Sequence, residues 1–306
     1  MELVTVVIPS YNADEGLQRA IESVLGQTYP KVEVIVVDDN EPGSNGRKRT
    51  ETLMQRFAEE QRVKYLKHAH NKNGAAARNT GIRAASGCFV AFLDDDDIYY
   101  PDRIRRCMNV FAENPQCDAV YTGVDLYVQG KKSGEVHPTA QGKAWRSLLL
   151  NEGMLGTGSN LFLKKEVIES VNGFDESFIR YQDIEFMLRI LKEHNLKDLD
   201  EVLVRKNIMG RNIPPYKKYR ENKITLFQKF SDLISQLTVQ ERRNFFDFHY
   251  SVLYHSALSG GAREDIQLAA KELQSVRPLT VKEMIAFGCP WLWRQYYCLK
   301  KRKQIM

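Results

Sequence analysis

Over the first 125 residues, short β-branched runs alternate with amphipathic stretches. Val4 to Ile8, Val32 to Val37, Val63 to Leu66, Cys88 to Leu93 and Ala119 to Val124 read as strands, since short apolar runs bounded by turn residues suit a buried sheet. Between the first two, Leu17, Ile21, Val24 and Leu25 recur at helical spacing, with Asn12 or Asp14 as a cap. Helices also fit Arg47 to Glu60, Ala75 to Ala85 and Asp102 to Ala112. This alternation predicts an α/β fold with a mostly parallel, Rossmann-like sheet and helices on both faces. Such sheets bind ligands beyond the carboxyl ends of their strands, which right-handed crossovers gather on one rim.

From Gly156 the pattern changes to a polar loop, Gly156-Thr157-Gly158-Ser159-Asn160, in which Gly156 to Ser159 read as a flexible acceptor loop, with a mere connection as the alternative. A short apolar run, Leu161 to Leu163, and a helix from about Lys165 follow it. A second helix is predicted from Asp183 to His194, with Ile184, Met187, Leu188 and Leu191 on one face. After Pro214-Pro215 the chain reads as helical to about Glu283 and carries no strand-like alternation. The expected division is therefore 1–213, with halves at about 1–125 and 126–213, and a helical region at 214–306.

Hydrophobic and charged residues make up 43% and 27% of the 306 residues, as in globular proteins, and a net charge of +5 is too small for a nucleic-acid footprint. Cys88, Cys107, Cys117, Cys289 and Cys298 form no CxxC pair, so they read as buried small hydrophobes in a reducing cytoplasm. The chain opens directly into a strand, without a leader pattern or a long apolar span. His68 and His70 read as part of a solvated turn.

Four consecutive aspartates, Asp94 to Asp97, follow the fourth strand. Adjacent carboxylates repel and raise one another's pKa, so the cluster calls for a cation. Hard oxygens favour Mg2+ or Mn2+, and Asp94 and Asp96 would share a side on extended backbone. Asp97, ahead of Pro101, reads as the start of the next helix. The other strand ends on this rim carry Pro9-Ser10-Tyr11-Asn12 and Asp38-Asp39.

Taken in order, Val6-Val7-Ile8-Pro9-Ser10-Tyr11-Asn12, Val36-Val37-Asp38-Asp39, Asn73-Gly74 with Ala77-Arg78-Asn79-Thr80-Gly81, Phe92-Leu93-Asp94-Asp95-Asp96-Asp97, Gly173-Phe174-Asp175-Glu176 and Asp183 resemble the family 2 glycosyltransferases of bacterial surface-polysaccharide synthesis. The resemblance covers about residues 2 to 195. It implies a GT-A fold, a nucleotide-sugar donor that is usually UDP-linked, and inversion at the anomeric carbon. Pro9, Tyr11, Asn12, Asp39, Gly74, Arg78, Asp94 and Asp95 would bind the nucleotide-sugar. Tyr11 would lie on the base, Asp39 would accept from its ring N–H, and Arg78 would face base or diphosphate, with a structural salt bridge as its alternative. Asp96 and Asp94 would serve a divalent metal, Mn2+ or Mg2+. Asp183 would be the general base for the acceptor hydroxyl.

Two departures stand out. The family usually has Glu-Asp where this chain has Gln182-Asp183, and the QxxRW motif of processive synthases is missing, which favours transfer of a single sugar. A glycan or lipid-linked saccharide is the expected acceptor. Trp291, Trp293, Tyr296 and Tyr297, followed by Lys300 to Lys303, form a basic aromatic tail. The tail reads as a peripheral contact at the membrane's inner face or as a packing or homodimer surface. The rival readings are a nucleotide-sugar-binding protein without turnover and a sugar nucleotidyltransferase. The latter needs a Gly-rich loop after the first strand, and Pro9 to Asp14 has no glycine.

Overall fold

A computed structural model describes residues 1–138, 144–152, 158–208, 215–291 and 293. The chain divides into two compact units, Met1–Gly210 and Arg211–Met306.

In the first unit β1 (Val4–Ser10), β2 (Val32–Asp38), β3 (Val63–Lys67) and β4 (Phe89–Phe92) lie parallel in the order β3-β2-β1-β4. The sheet continues through β8 (Phe162–Lys164), antiparallel to β4, then β6 (Ala119–Val128), β9 (Leu196–Ile208) and β5 (Ile98–Tyr99). β7 (Lys131–Val136) pairs with β6 as a hairpin. This is the expected α/β architecture.

Alternation along the strands sorts the helices. Val4, Val6 and Ile8 of β1 share one core with Leu17 and Ile21 of α1 (Glu15–Leu25), Met54 of α2 (Asn45–Met54) and Ile104 and Phe111 of α4 (Arg103–Glu113). On the other face Val7 meets α3 (Gly74–Ala84) so closely that a Cβ on Gly81 would lie 2.2 Å from a Val7 methyl. Phe92 points the same way, edge-on to Phe174 and to Phe186 of α7 (Gln182–Glu193). The caps of the first helices are local: Asp14, Ser44 and Asn73 each accept from a backbone N–H of the first turn.

The later half of this unit departs from the sequence reading. β5, β7, α5 (Ala144–Leu150) and the 13-residue β9 were not expected. In β9 only Leu203 and Val204 are buried, and its register against β6 shifts around Gly123. Neither period-2 alternation nor a long apolar run marks it. The 3-10 turn Gly158–Asn160 and α6 (Lys165–Ser170) flank β8.

The second unit contains α8 (Tyr216–Lys229), α9 (Ser231–Ser235), α10 (Val239–Gly260), α11 (Arg263–Gln274) and α12 (Val281–Gly288). Leu253, Tyr254, Ala257, Ile266, Ala269 and Leu273 form its core. Trp293 stacks on His255, ring centroids 5.2 Å apart, while Trp291 is exposed. The rest of the basic tail, from Arg294 onward with Cys298, lies outside the described residues. No helix among the described residues is long and apolar enough to cross a membrane. Cys107 and Cys117 are buried as expected; Cys88 is exposed.

Candidate active site

The four aspartates leave the sheet as a turn. Asp97 N donates to Asp94 O at 3.1 Å, so the segment is not the extended backbone expected, and Asp94 and Asp96 are not paired by strand alternation. Aspartate favours such turns because its short side chain bonds to nearby backbone.

The four carboxylates have different surroundings. Asp94 Oδ1 accepts from Arg78 Nη2 at 2.6 Å, and its Oδ2 lies 3.6 Å from Lys206 Nζ. Burial acts to raise its pKa, but the Arg78 guanidinium and the Lys206 ammonium outweigh burial and hold it below the ordinary carboxylate value. Asp97 is fully buried. Its Oδ2 accepts from Ser159 Oγ at 2.6 Å and Lys206 Nζ at 3.1 Å, and its Oδ1 from Asn207 N at 2.8 Å. It therefore does not start the next helix; Asp102 occupies the N-cap of α4. Asp97 is an internal bracket tying the turn to β9 and to Ser159.

Asp95 and Asp96 lack such cationic partners. Asp95 Oδ2 accepts from Tyr11 N at 3.3 Å, and burial with the Asp94 charge pushes its pKa up to about 7. Burial, Asp97 and Asp94 do the same to Asp96, also to about 7, against a partial offset from Lys206. Among the described residues no side chain donates to the Asp96 carboxylate; Asn207 Nδ2 bonds to its backbone carbonyl.

A cleft of about 320 Å³ opens above this turn, lined by Pro9, Ser10, Tyr11, Asp39, Gly74, Ala77, Arg78, Asp94, Asp95 and Asp96. The ends of β1, β2 and β4 and the start of α3 thus meet as the sheet topology requires. Tyr11 is 58% exposed and free to present its ring. Asp39 is buried: it accepts from Asn71 Nδ2 and Lys72 N, both at 2.9 Å, and pairs with His68 Nδ1 at 2.7 Å. His68 is consequently a buried partner of the site and not part of a solvated turn; His70 is exposed.

Asn12 does not line the cleft. It adopts a left-handed φ of 54° and donates from its backbone to Asn40 Oδ1 at 2.8 Å. Gly158 lies against the Arg78–Asp94 pair, where a Cβ would approach Arg78 Nη2 to 2.9 Å and Asp94 Oδ1 to 3.2 Å. Ser159 accepts from Asp94 N at 3.0 Å while donating to Asp97. Of the expected acceptor loop, then, Gly158 and Ser159 support the acidic turn, while Gly156 and Thr157 lie outside the described residues.

Asp183 also stands outside the residues lining the cleft, in the first turn of α7. Tyr181, just before it, has a left-handed φ of 62°, a conformation that costs a non-glycine residue about 1 kcal/mol or more. Gln182 then links Asp183 to the site: its Oε1 accepts from Arg78 Nη1 at 3.3 Å and its Nε2 donates to Phe178 O at 2.7 Å. Burial raises the Asp183 pKa, Arg78 partly offsets this, and Asp94 adds to it.

Lys206, Asn207 and His68 were not read from the sequence as site residues, and Ser159 was read only as part of the acceptor loop. Only the Gly-rich stretch before Asn160 carried a signal, and it pointed to the acceptor.

The pattern of glycosyl transferase family 2 matches residues 5–171, more than half of the 306 residues. The chain belongs to this family. Among curated members it is similar to the UDP-Glc:alpha-D-GlcNAc-diphosphoundecaprenol beta-1,3-glucosyltransferase WfgD of Escherichia coli, at 31% identity over 65% of this chain and 73% of that one. For several other relatives the match spans 27% to 64% of their length. Among solved structures it resembles S. aureus TarS 1-349 in complex with UDP-GlcNAc, with TM-score 0.58 and 13% identity over 90% of this chain and 89% of that one. It also resembles the mannosyltransferase PcManGT of Pyrobaculum calidifontis in complex with GDP-Man and Mn2+, with TM-score 0.56 and 19% identity over 99% and 84% of the two chains. These likenesses establish the GT-A-type fold of this family 2 member.

Proposed function

We propose that this glycosyltransferase moves one sugar from a UDP-linked donor to a hydroxyl of a glycan or lipid-linked acceptor, inverting the anomeric carbon. The observation that carries this reading is the set of groups meeting at one rim, exposed Tyr11, the Arg78–Asp94 pair and Asp96, with Asp183 outside the cleft lining but next in the chain to Gln182, which Arg78 bonds. The name of WfgD, which uses UDP-Glc and a diphosphoundecaprenol-linked acceptor, supports the choice of donor and acceptor class.

Tyr11 offers a face for the base, and a carboxylate such as Asp39, with capacity for about four hydrogen bonds, can take a ring N–H beside those it already holds. Asp96 fits a divalent metal: it is a hard, desolvated carboxylate whose charge Lys206 offsets only in part. No group of three or more acidic, His or Cys side chains among the described residues forms a complete cage. That suits Mg2+ or Mn2+, which take one or two carboxylates and leave other positions to phosphates. Asp94, already held by Arg78 and Lys206, supports the site from behind. A bound ion would supply positive charge against the diphosphate.

Asp183 takes the proton of the acceptor hydroxyl. As that oxygen bonds to the anomeric carbon, the bond from this carbon to the diphosphate breaks, and its electron pair leaves with the diphosphate. Burial lifts the Asp183 pKa toward the working pH, which improves a general base while Arg78 limits the rise. Asp183→Asn is expected to lower kcat by about 10² to 10⁴ with UDP affinity unchanged. Equal turnover would leave nucleotide-sugar binding without turnover as the better reading. Membrane contact through the basic aromatic tail belongs to the same proposal. Liposome flotation with and without residues 289–306 tests it, and equal partitioning removes it.

A further inference from the structure

The acidic turn already contains a cation. Lys206, near the end of β9, reaches Asp97 Oδ2 at 3.1 Å and Asp94 Oδ2 at 3.6 Å. Next to it, Asn207 clamps the turn from the same strand, with its N–H on Asp97 Oδ1 at 2.8 Å and its side chain on the Asp96 carbonyl. The Lys206 side chain retains 27% exposure; it does not itself line the cleft, and its ammonium stands behind Asp94, which does. One ammonium thus serves both a fully buried carboxylate, Asp97, and one that lines the cleft, Asp94.

We propose that Lys206 is a built-in countercation of the donor site, which grips the donor's diphosphate and gives the protein a hold on nucleoside diphosphate that survives removal of divalent metal. This rests on the donor reading above. The ammonium offers three donors on a flexible stem, of which Asp97 engages one while Asp94 lies at ion-pair distance. A diphosphate entering beside Asp94 brings negative charge to the same ammonium, with a desolvated and so strengthened attraction. A divalent ion at Asp96 would feel the opposite: a like charge held nearby weakens its binding. Lys206 therefore shifts the work of neutralising the diphosphate from the metal to the protein.

The full-length protein and its Lys206→Met and Lys206→Arg variants are titrated with UDP in excess EDTA, with UDP in saturating Mn2+, and with Mn2+ alone, all by calorimetry. In EDTA, Lys206→Met is expected to bind UDP at least about tenfold more weakly than the parent; in Mn2+ the two should agree within about threefold. Lys206→Arg should restore metal-free binding. Mn2+ alone should bind Lys206→Met several-fold more tightly than the parent. Equal UDP affinity of parent and Lys206→Met in EDTA overturns the proposal, as does an equal loss with and without Mn2+, which marks a general structural role. A parent that binds UDP only with Mn2+ overturns it as well. Should Lys206→Met not fold, Lys206→Gln and Lys206→Arg carry the same comparison. If no protein binds UDP even with Mn2+, the donor reading fails, and the Mn2+ titration still decides whether Lys206 is a countercation: unchanged metal affinity rejects it.

Discussion

Two acidic turns end β2 and β4, the strands on either side of β1 in the same sheet, and their chemistry differs. After β2, Asp38 and Asp39 are fully supplied with donors. Asp38 accepts from Asn40 N and Nδ2 at 2.9 and 2.7 Å, from the Tyr65 hydroxyl, and pairs with Arg47 Nε at 3.4 Å. Asp39 holds Asn71, Lys72 and His68. After β4, only Asp94 and Asp97 are met by cations, and Asp95 and Asp96 are left with pKa values pushed up to about 7. Acidic residues at a strand end are thus not evidence of a metal by themselves. What marks a ligand site is charge that the protein buries and does not neutralise.

The largest effect should come from the uncompensated side. Asp96→Asn is expected to lower kcat by about 10³, or roughly 4 kcal/mol at the transition state. The same substitution should raise the metal-free melting temperature, because it removes a repelled carboxylate. A fall in melting temperature would mean that Asp96 is satisfied in the native state and that the contrast between the turns is wrong.

On the compensated side the expected loss is one of stability. Asp38→Asn leaves buried Arg47 without its carboxylate, which typically costs about 3 to 5 kcal/mol. The low end applies here, since Arg47 keeps its bonds to the Asn40 and His68 carbonyls. Urea unfolding measures it, and a cost below about 1 kcal/mol would place both turns in one class.

Between these lies Tyr11, whose backbone is tied to Asp95 while its ring is exposed. Tyr11→Ala should weaken UDP binding about tenfold, the scale of one base–aromatic stack, without changing the melting temperature. An unchanged dissociation constant would remove the ring from the base site.

The smallest effect is a pH slope. Folded Asp95 and Asp96 titrate at about 7, against about 4 in an unfolded chain. Between those values the native state binds more protons than the unfolded one, so their contribution to stability falls as pH rises through the window. The metal-free melting temperature of the parent, relative to Asp96→Asn, should therefore drop between pH about 5 and about 7.5. Mn2+ should flatten the drop, and an opposite slope would show Asp96 ionised without cost.

How far the site could be read follows from how local each signal is. The ends of β1, β2 and β4 and the starts of α1 and α3 are marked by runs of Val and Ile, by caps at Asp14 and Asn73, and by the aspartates themselves. Each lies within a few residues of what it organises. β9 carries charge along most of its length, and its neighbours β6 and β5, not its own pattern, make it a strand.

The sequence by itself determined that a parallel sheet would gather Tyr11, Asp39, Arg78 and the aspartates on one rim, because strand periodicity and crossover handedness leave little choice. It could not say which carboxylates are free. Ser159 reaches Asp94 from 65 residues away and Lys206 reaches Asp97 from 109. Electrostatic compensation acts through space, so only the tertiary structure divided four identical side chains into two held in ion pairs, Asp94 and Asp97, and two that are not.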